Sequence, residues 1–158
     1  MPLEETSEYR IEKQRADAVL TLASGVSVVG HFFLAQASPT SAGRERVAEL
    51  LNSERGFFPF QIDAQQTVLF NRDHIVTVQV ADDEARRDPG YAVATERRVS
   101  ILLSNGARLQ GSVRVYRPEG RDRLSDWARH SLRFRYVEAA HATFIVNGDH
   151  IVEAREVT

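Results

Sequence analysis

The chain has 158 residues, 42% of them apolar and 27% charged, and a formal charge of −2. That profile fits one globular domain or two very small ones, with enough chain to bury a core unaided. There is no cysteine, which excludes disulfides, thiolate metal sites and thiol catalysis.

No stretch of about 18 apolar residues exists, so no helical membrane span is expected. The acidic start Met1-Pro2-Leu3-Glu4-Glu5 lacks a basic-then-apolar leader, so a cytoplasmic location is expected. Residues 1–17 read as a leading segment, with a weak helix over 8–17. Residues 18–23 are short and apolar and end in a turn at Ser24-Gly25. Residues 26–36 alternate as a strand does, with Gly30 inside, which marks a bend or a close backbone approach. After a loop at Ser38-Pro39-Thr40-Ser41, the spacing of Val47, Leu50 and Leu51 predicts a short amphipathic helix. Gly56 is its stop signal. Three strands follow, over 57–62, 66–71 and 74–80.

Residues 81–97 are charged and turn-rich, as a domain boundary is. Strands are then predicted over 98–103 and 107–117, joined by Asn105-Gly106, a strong hairpin signal. Gly111 lies inside the second of them. Leu124, Trp127 and Ala128 take helical spacing after the loop Arg117-Pro118-Glu119-Gly120. Strands over 133–138, 142–147 and 150–156 end the chain.

The second series repeats the first. Residues 67–76 (Thr-Val-Leu-Phe-Asn-Arg-Asp-His-Ile-Val) lie over 143–152 (Thr-Phe-Ile-Val-Asn-Gly-Asp-His-Ile-Val), identical at Thr67, Asn71, Asp73, His74, Ile75 and Val76. Leu20–Gly30 lies over Ile101–Gly111, Arg46–Leu51 over Arg123–Ala128, and Phe57 over Phe134. This reads as a tandem duplication, with copy one over 18–80 and copy two over 98–158. Each copy is β-β-α-β-β-β. Five short strands hide an apolar face by curling, so the expected fold is mainly β: two tandem five-stranded barrels, each with a short helix between its second and third strands.

Val99-Ser100-Ile101-Leu102-Leu103-Ser104-Asn105-Gly106-Ala107-Arg108-Leu109-Gln110-Gly111 resembles the first motif of the Sm-like family of small β-barrels. Ile145-Val146-Asn147-Gly148-Asp149-His150-Ile151 is similar to its second motif. The pattern also looks like duplicated bacterial proteins without an assigned role. The resemblance implies that the two tandem barrels are Sm-like or SH3-like, and in the family's RNA-binding members it implies a nucleotide pocket. Two features depart from that pocket. Asn71 and Asn147 stand at the family's basic position, and a helix-bearing insert replaces the loop that carries its Asp and Asn.

The repeated Asn-x-Asp-His, formed by Asn71, Asp73 and His74 and by Asn147, Asp149 and His150, is the best-marked candidate site. An Asp–His pair suits ligand or metal binding. The same residues also serve as plain turn chemistry. Histidine spacing matches no metal motif, so no metal and no cofactor are expected. Residues 97–158 carry 11 bases against 7 acids, and all bases but Lys13 are arginine. Arg108, Arg114, Arg129, Arg133 and Arg135 stand near Tyr116, Trp127, Phe134 and Tyr136, a mixture that single-stranded RNA surfaces use. No nucleophile, P-loop or dinucleotide motif appears. The reading that follows is a non-enzymatic assembly or partner-binding module, through a protein partner or self-association. The alternatives are RNA binding by copy two and a metal or small ligand at the turns.

Overall fold

The computed structural model describes residues 13–38, 43–116, 123–129 and 132–157. Strand β1 (Lys13–Leu22) begins earlier than expected. The leading helix is therefore not formed over 13–17, and residues 8–12 lie outside the described residues. The local pattern explains this. Ala18 and Leu20 are buried while Arg15 and Asp17 are exposed, and that period of two is a strand's. β1 pairs along its length with β2 (Ser27–Ala35), from Lys13↔Ala35 to Thr21↔Ser27.

The first half continues with helix α1 (Val47–Asn52), β3 (Phe57–Asp63), β4 (Gln66–Asn71), a 3-10 turn (Arg72–His74) and β5 (Ile75–Val80). The second half runs through β6 (Thr95–Leu103), β7 (Arg108–Val115), helix α3 (Leu124–Ala128), β8 (Phe134–Glu138) and β9 (Thr143–Asn147). It ends with a 3-10 turn (Gly148–His150) and β10 (Ile151–Glu156). Between the halves lie α2 (Asp83–Arg86) and a 3-10 turn (Tyr91–Val93).

The chain is mainly β, but closed barrels are not formed. All ten strands join one antiparallel sheet in the order β10-β6-β7-β8-β9-β5-β1-β2-β3-β4. The reason is the central pairing. β9 lies against β5, from Thr77↔Val146 to Val80↔Thr143. The fourth strand of the second half thus pairs with the fifth strand of the first. β4 and β10 are left at the two edges with one strand neighbour each. Within each half the order is the same: fifth, first, second, third, fourth.

The interior glycines make the bends. A Cβ on Gly30 would stand 2.2 Å from the Gln61 carbonyl oxygen, and one on Gly111 2.5 Å from that of Glu138. There the second strand of each half passes closely over the third, and each pair of strands meets in register at one place, His31↔Gln61 and Ser112↔Glu138.

Two apolar clusters result. One gathers Leu20, Phe32, Phe58, Phe60 and Val78 and is completed by Phe134 and Ile145 of the second half. The other gathers Ile101, Val113, Trp127 and Val137 and is completed by Val76 of the first. Val76 reaches across because the ladder skips it: Leu22 pairs with Ile75 and Thr21 with Thr77. The ladder skips Val152 in the same way, between Leu103↔Ile151 and Leu102↔Glu153.

The segment between the halves is mostly exposed or half-buried but is anchored at one place. Glu84 and Ala85 are buried. The Glu84 carboxylate accepts from the Val47 N–H and from the Tyr136 hydroxyl (3.3 Å), and pairs with Arg87 (3.2 Å). Burial pushes this carboxyl up from the ordinary range, against the pull of the Val47 N–H and Arg87.

Candidate functional site at the seam

The β5–β9 pairing brings the two Asn-x-Asp-His turns together. Each turn first satisfies itself. Asn71 Oδ1 accepts from the Asp73 N–H, and Asn147 Oδ1 from the Asp149 N–H, both at 3.0 Å. This is the local backbone capping that Asn and Asp favour.

The second turn then holds the first. Asn147 is fully buried, and its side-chain amide donates to the carbonyls of Arg72 (3.2 Å) and Ile75 (2.9 Å). His150 Nε2 lies 2.7 Å from the Asp73 carbonyl oxygen, and its Nδ1 2.6 Å from Ser104 Oγ. A carbonyl only accepts, so Nε2 carries the proton and, in the neutral ring, Nδ1 accepts from the serine hydroxyl. Arg133 closes the group. Its Nη2 lies 2.6 Å from Asp73 and its Nε 2.9 Å from Asp149. The Arg133 hydrogen bond holds the Asp73 carboxyl below the usual carboxylate range.

Their counterparts in the first turn do less. His74 is exposed. Neither its ring nor the Asn71 amide donates a hydrogen bond within the described residues. Among the described residues no group of three or more His, Cys, Asp or Glu side chains is placed to hold a metal ion.

The arginines expected to form a cationic face are largely engaged. Arg108 meets Ser100 (3.0 Å) and Glu153 (3.4 Å). Arg114 stacks on Tyr91, 4.0 Å from the ring centre, and pairs with Glu96 (3.3 Å) and Glu138 (3.5 Å). Arg133 bridges the two aspartates. Arg135 lies over Trp127 and donates to the carbonyls of Leu132, Trp127 and Ala128. Arg129 is mostly exposed, 4.0 Å from Asp126.

Comparison with protein-family models, curated proteins and solved structures finds no match. The site's chemistry is therefore read from its own residues. Three residues that carried no expectation from the sequence brace the seam or the elements beside it. Asn52, at the end of α1, clamps β8 by donating to the Phe134 carbonyl (2.9 Å) and accepting its N–H (2.8 Å). Arg72 is buried and donates to Leu50, Leu51 and Phe57 carbonyls at 2.8–2.9 Å. Glu84 ties the connecting segment to α1. Asn52 and Arg72 carried no signal, because Arg129 and Gly148 occupy the corresponding positions. Beside the clamp a cleft of about 370 Å3 is lined by aromatic side chains, among them Tyr116, Trp127 and Tyr136, and by charged ones, among them Arg46, Asp88 and Arg135.

The seam buries residues whose repeat equivalents stand exposed on the edge strands β4 (Leu69) and β10 (Val152) and on β3 beside β4 (Phe57). Phe134, Ile145 and Val76 are 1%, 0% and 0% exposed. Phe57, Leu69 and Val152 align with them and are 59%, 64% and 64% exposed. Within the Phe57-Phe58-Pro59-Phe60 run, Phe58 and Phe60 are core and Phe57 faces out.

Proposed function

We propose that the chain is a non-enzymatic assembly module, two tandem Sm-like units whose outer edges join further copies of the same chain head to tail. The edge β4 of one molecule pairs with β10 of the next, as β9 pairs with β5 inside each molecule. The observation that carries this reading is the exposure of Phe57, Leu69 and Val152 beside the burial of their equivalents. Exposed large apolar side chains clustered on unpaired strand edges mark interaction surfaces. The strand order supports the same partner, since the edges left over are a fourth strand and a fifth strand, the two kinds that pair at the seam.

In the proposed register Ala154 stands across from Leu69, as Val78 stands across from Ile145. Leu69 then enters the second cluster of the neighbour, and Val152 enters the first. Glu153 and Arg155 replace Thr77 and Gln79, and they pair with each other at 2.5 Å. Charges on an edge strand discourage indiscriminate pairing, so this edge favours its matched partner over any β-strand. The contact is heterologous, and it closes a ring or extends a filament according to the rotation between molecules.

The test uses two variants, each spoiling one edge: Leu69→Lys on β4 and Val152→Lys on β10. The wild type assembles with rising concentration, measured as mass in solution. Either variant alone remains a single chain, because its intact edge faces only spoiled ones. An equal mixture forms a pair of twice the chain mass and no more. A wild type that stays a single chain at every concentration, or a mixture that gains no mass, overturns the reading.

A further inference from the structure

We infer that the repeated Asn-x-Asp-His turn is a clasp for carbonyl oxygens of the adjoining turn, and that Asn71 and His74 hold the next molecule as Asn147 and His150 hold the first turn. This inference rests on the head-to-tail reading above. It adds the residues that recognise the partner and the atoms they seek.

Inside the molecule the clasp is complete. Turn chemistry uses only the Asn oxygen and the Asp N–H of each motif. The remaining donors of the second motif, the Asn147 amide and the His150 Nε2–H, all point across the seam. They end on three backbone carbonyls of the first motif and its strand: Arg72, Asp73 and Ile75. Backbone carbonyls at a turn retain an unused lone pair after their ladder bonds, so they are acceptors independent of side-chain identity. That explains why Arg72 and Gly148 differ between the motifs while the Asn and His are shared.

The first motif has the same donors, and among the described residues they find no acceptor. Asn71, half-buried, and His74, exposed, lie at the end of β4 and in the turn after it, on the edge proposed to receive β10. The equivalents of the three acceptors are the carbonyls of Gly148, Asp149 and Ile151, at the start of β10. Placing β10 of a second copy against β4 in the seam's register sets His74 Nε2–H on the Asp149 carbonyl and the Asn71 amide on those of Gly148 and Ile151. One difference separates the two clasps. Ser104, which donates to His150 Nδ1, is replaced by Ala23 in the first half. The His74 ring is thus oriented by its carbonyl partner alone, and the outer clasp is the weaker and more readily reversible one.

The experiment compares the concentration dependence of mass for the wild type, His74→Ala, His74→Gln and Val152→Lys, with thermal unfolding recorded for each. His74→Ala raises the dissociation constant about tenfold and leaves the unfolding temperature of the dilute single chain unchanged. His74→Gln recovers part of the loss, because its amide presents a donor near the place of Nε2. His150→Ala, the internal counterpart, lowers the unfolding temperature of the dilute chain. If His74→Ala assembles as the wild type does while Val152→Lys does not, the clasp is wrong and the head-to-tail contact stands. If the wild type never assembles, both are wrong.

Discussion

Arg72 and Arg135 occupy different positions in their halves but satisfy equivalent carbonyls. Arg72 donates to Leu50 and Leu51 at the end of α1, and Arg135 to Trp127 and Ala128 at the end of α3. The last carbonyls of a helix lack partners within it, and a cation there also meets the negative end of the helix dipole. Arg72 is buried and binds the Phe57 carbonyl as well. Arg72→Ala strands the buried Leu51 carbonyl and takes a donor from the half-buried Phe57 and Leu50 carbonyls, the last of which keeps Ser53, so a loss of about 2–3 kcal/mol is expected in urea unfolding. Arg135→Ala, at a half-buried site, costs roughly 1 kcal/mol by the same principle. Equal losses at the two positions contradict this assignment. Loss of RNA binding in an Arg135 variant reports the fold as well as any RNA contact.

The two asparagines of the repeated motif are unequal in the same testable way. Asn71 accepts one local hydrogen bond, whereas Asn147, fully buried, accepts from the Asp149 N–H and from Arg133 Nε and donates two across the seam. Removing a local cap costs about 1 kcal/mol. Removing a buried side chain that satisfies two further backbone carbonyls costs about 2–3 kcal/mol. In the dilute single chain, Asn147→Ala therefore unfolds at clearly lower denaturant than Asn71→Ala.

Much of the fold was legible because period and punctuation survive in both halves. The helix spacing of Val47, Leu50 and Leu51 and the turn glycines Gly25 and Gly106 marked elements that form where expected. Ser24 and Asn105 keep negative φ. The hairpins are therefore type I turns followed by a left-handed glycine, rather than the two-residue kind that Asn-Gly favours. The start of β1 was missed because Gln14-Arg15-Ala16-Asp17 is polar enough to read as a helix face. Only its pairing with β2 reveals the alternation. The seam was not legible for a different reason. Burial of Phe134 and exposure of Phe57 depend on which strand lies beside them, and the two residues are chemically identical. The repeated motif was legible, but not that its two copies meet at the seam. Its donors and acceptors appear only once β5 lies against β9.

Glu84 makes stability depend on pH. Its carboxyl is raised in the folded state, mainly by burial. The folded protein therefore holds the proton more tightly than the unfolded chain does. This stabilising contribution is full below the unfolded value, 4.5, and is lost as pH rises through the folded value. Glu84→Gln keeps an oxygen for the Val47 N–H and removes the titration. The expected outcome is a wild type that gains stability relative to Glu84→Gln as pH falls from neutral toward 4.5. A difference that stays constant with pH, in unfolding curves taken across that window, removes Glu84 as the cause.

The bend glycines separate steric crowding from backbone strain. Gly30 and Gly111 have no positive φ, so an alanine there suffers only from its methyl group. At Gly30 that methyl meets the Gln61 carbonyl oxygen at 2.2 Å and Phe60 Cε2 at 2.6 Å. At Gly111 it meets the Glu138 carbonyl oxygen at 2.5 Å and Val137 Cγ1 at 3.1 Å. Both oxygens belong to the backbone of the strand being crossed, so relief requires the two strands to part. Gly25 is the opposite case, with φ of 91° and nothing within 4 Å of an added Cβ. Gly25→Ala then costs about 1–2 kcal/mol, the penalty of left-handed backbone. Gly111→Ala costs about 2–3 kcal/mol from overpacking, and Gly30→Ala at least that much. Unfolding midpoints ordered Gly25→Ala, Gly111→Ala, Gly30→Ala from mildest to worst support a close strand crossing in both halves. A mild Gly30→Ala means that β2 does not pass so near β3, and the curled shape of the first half goes with it.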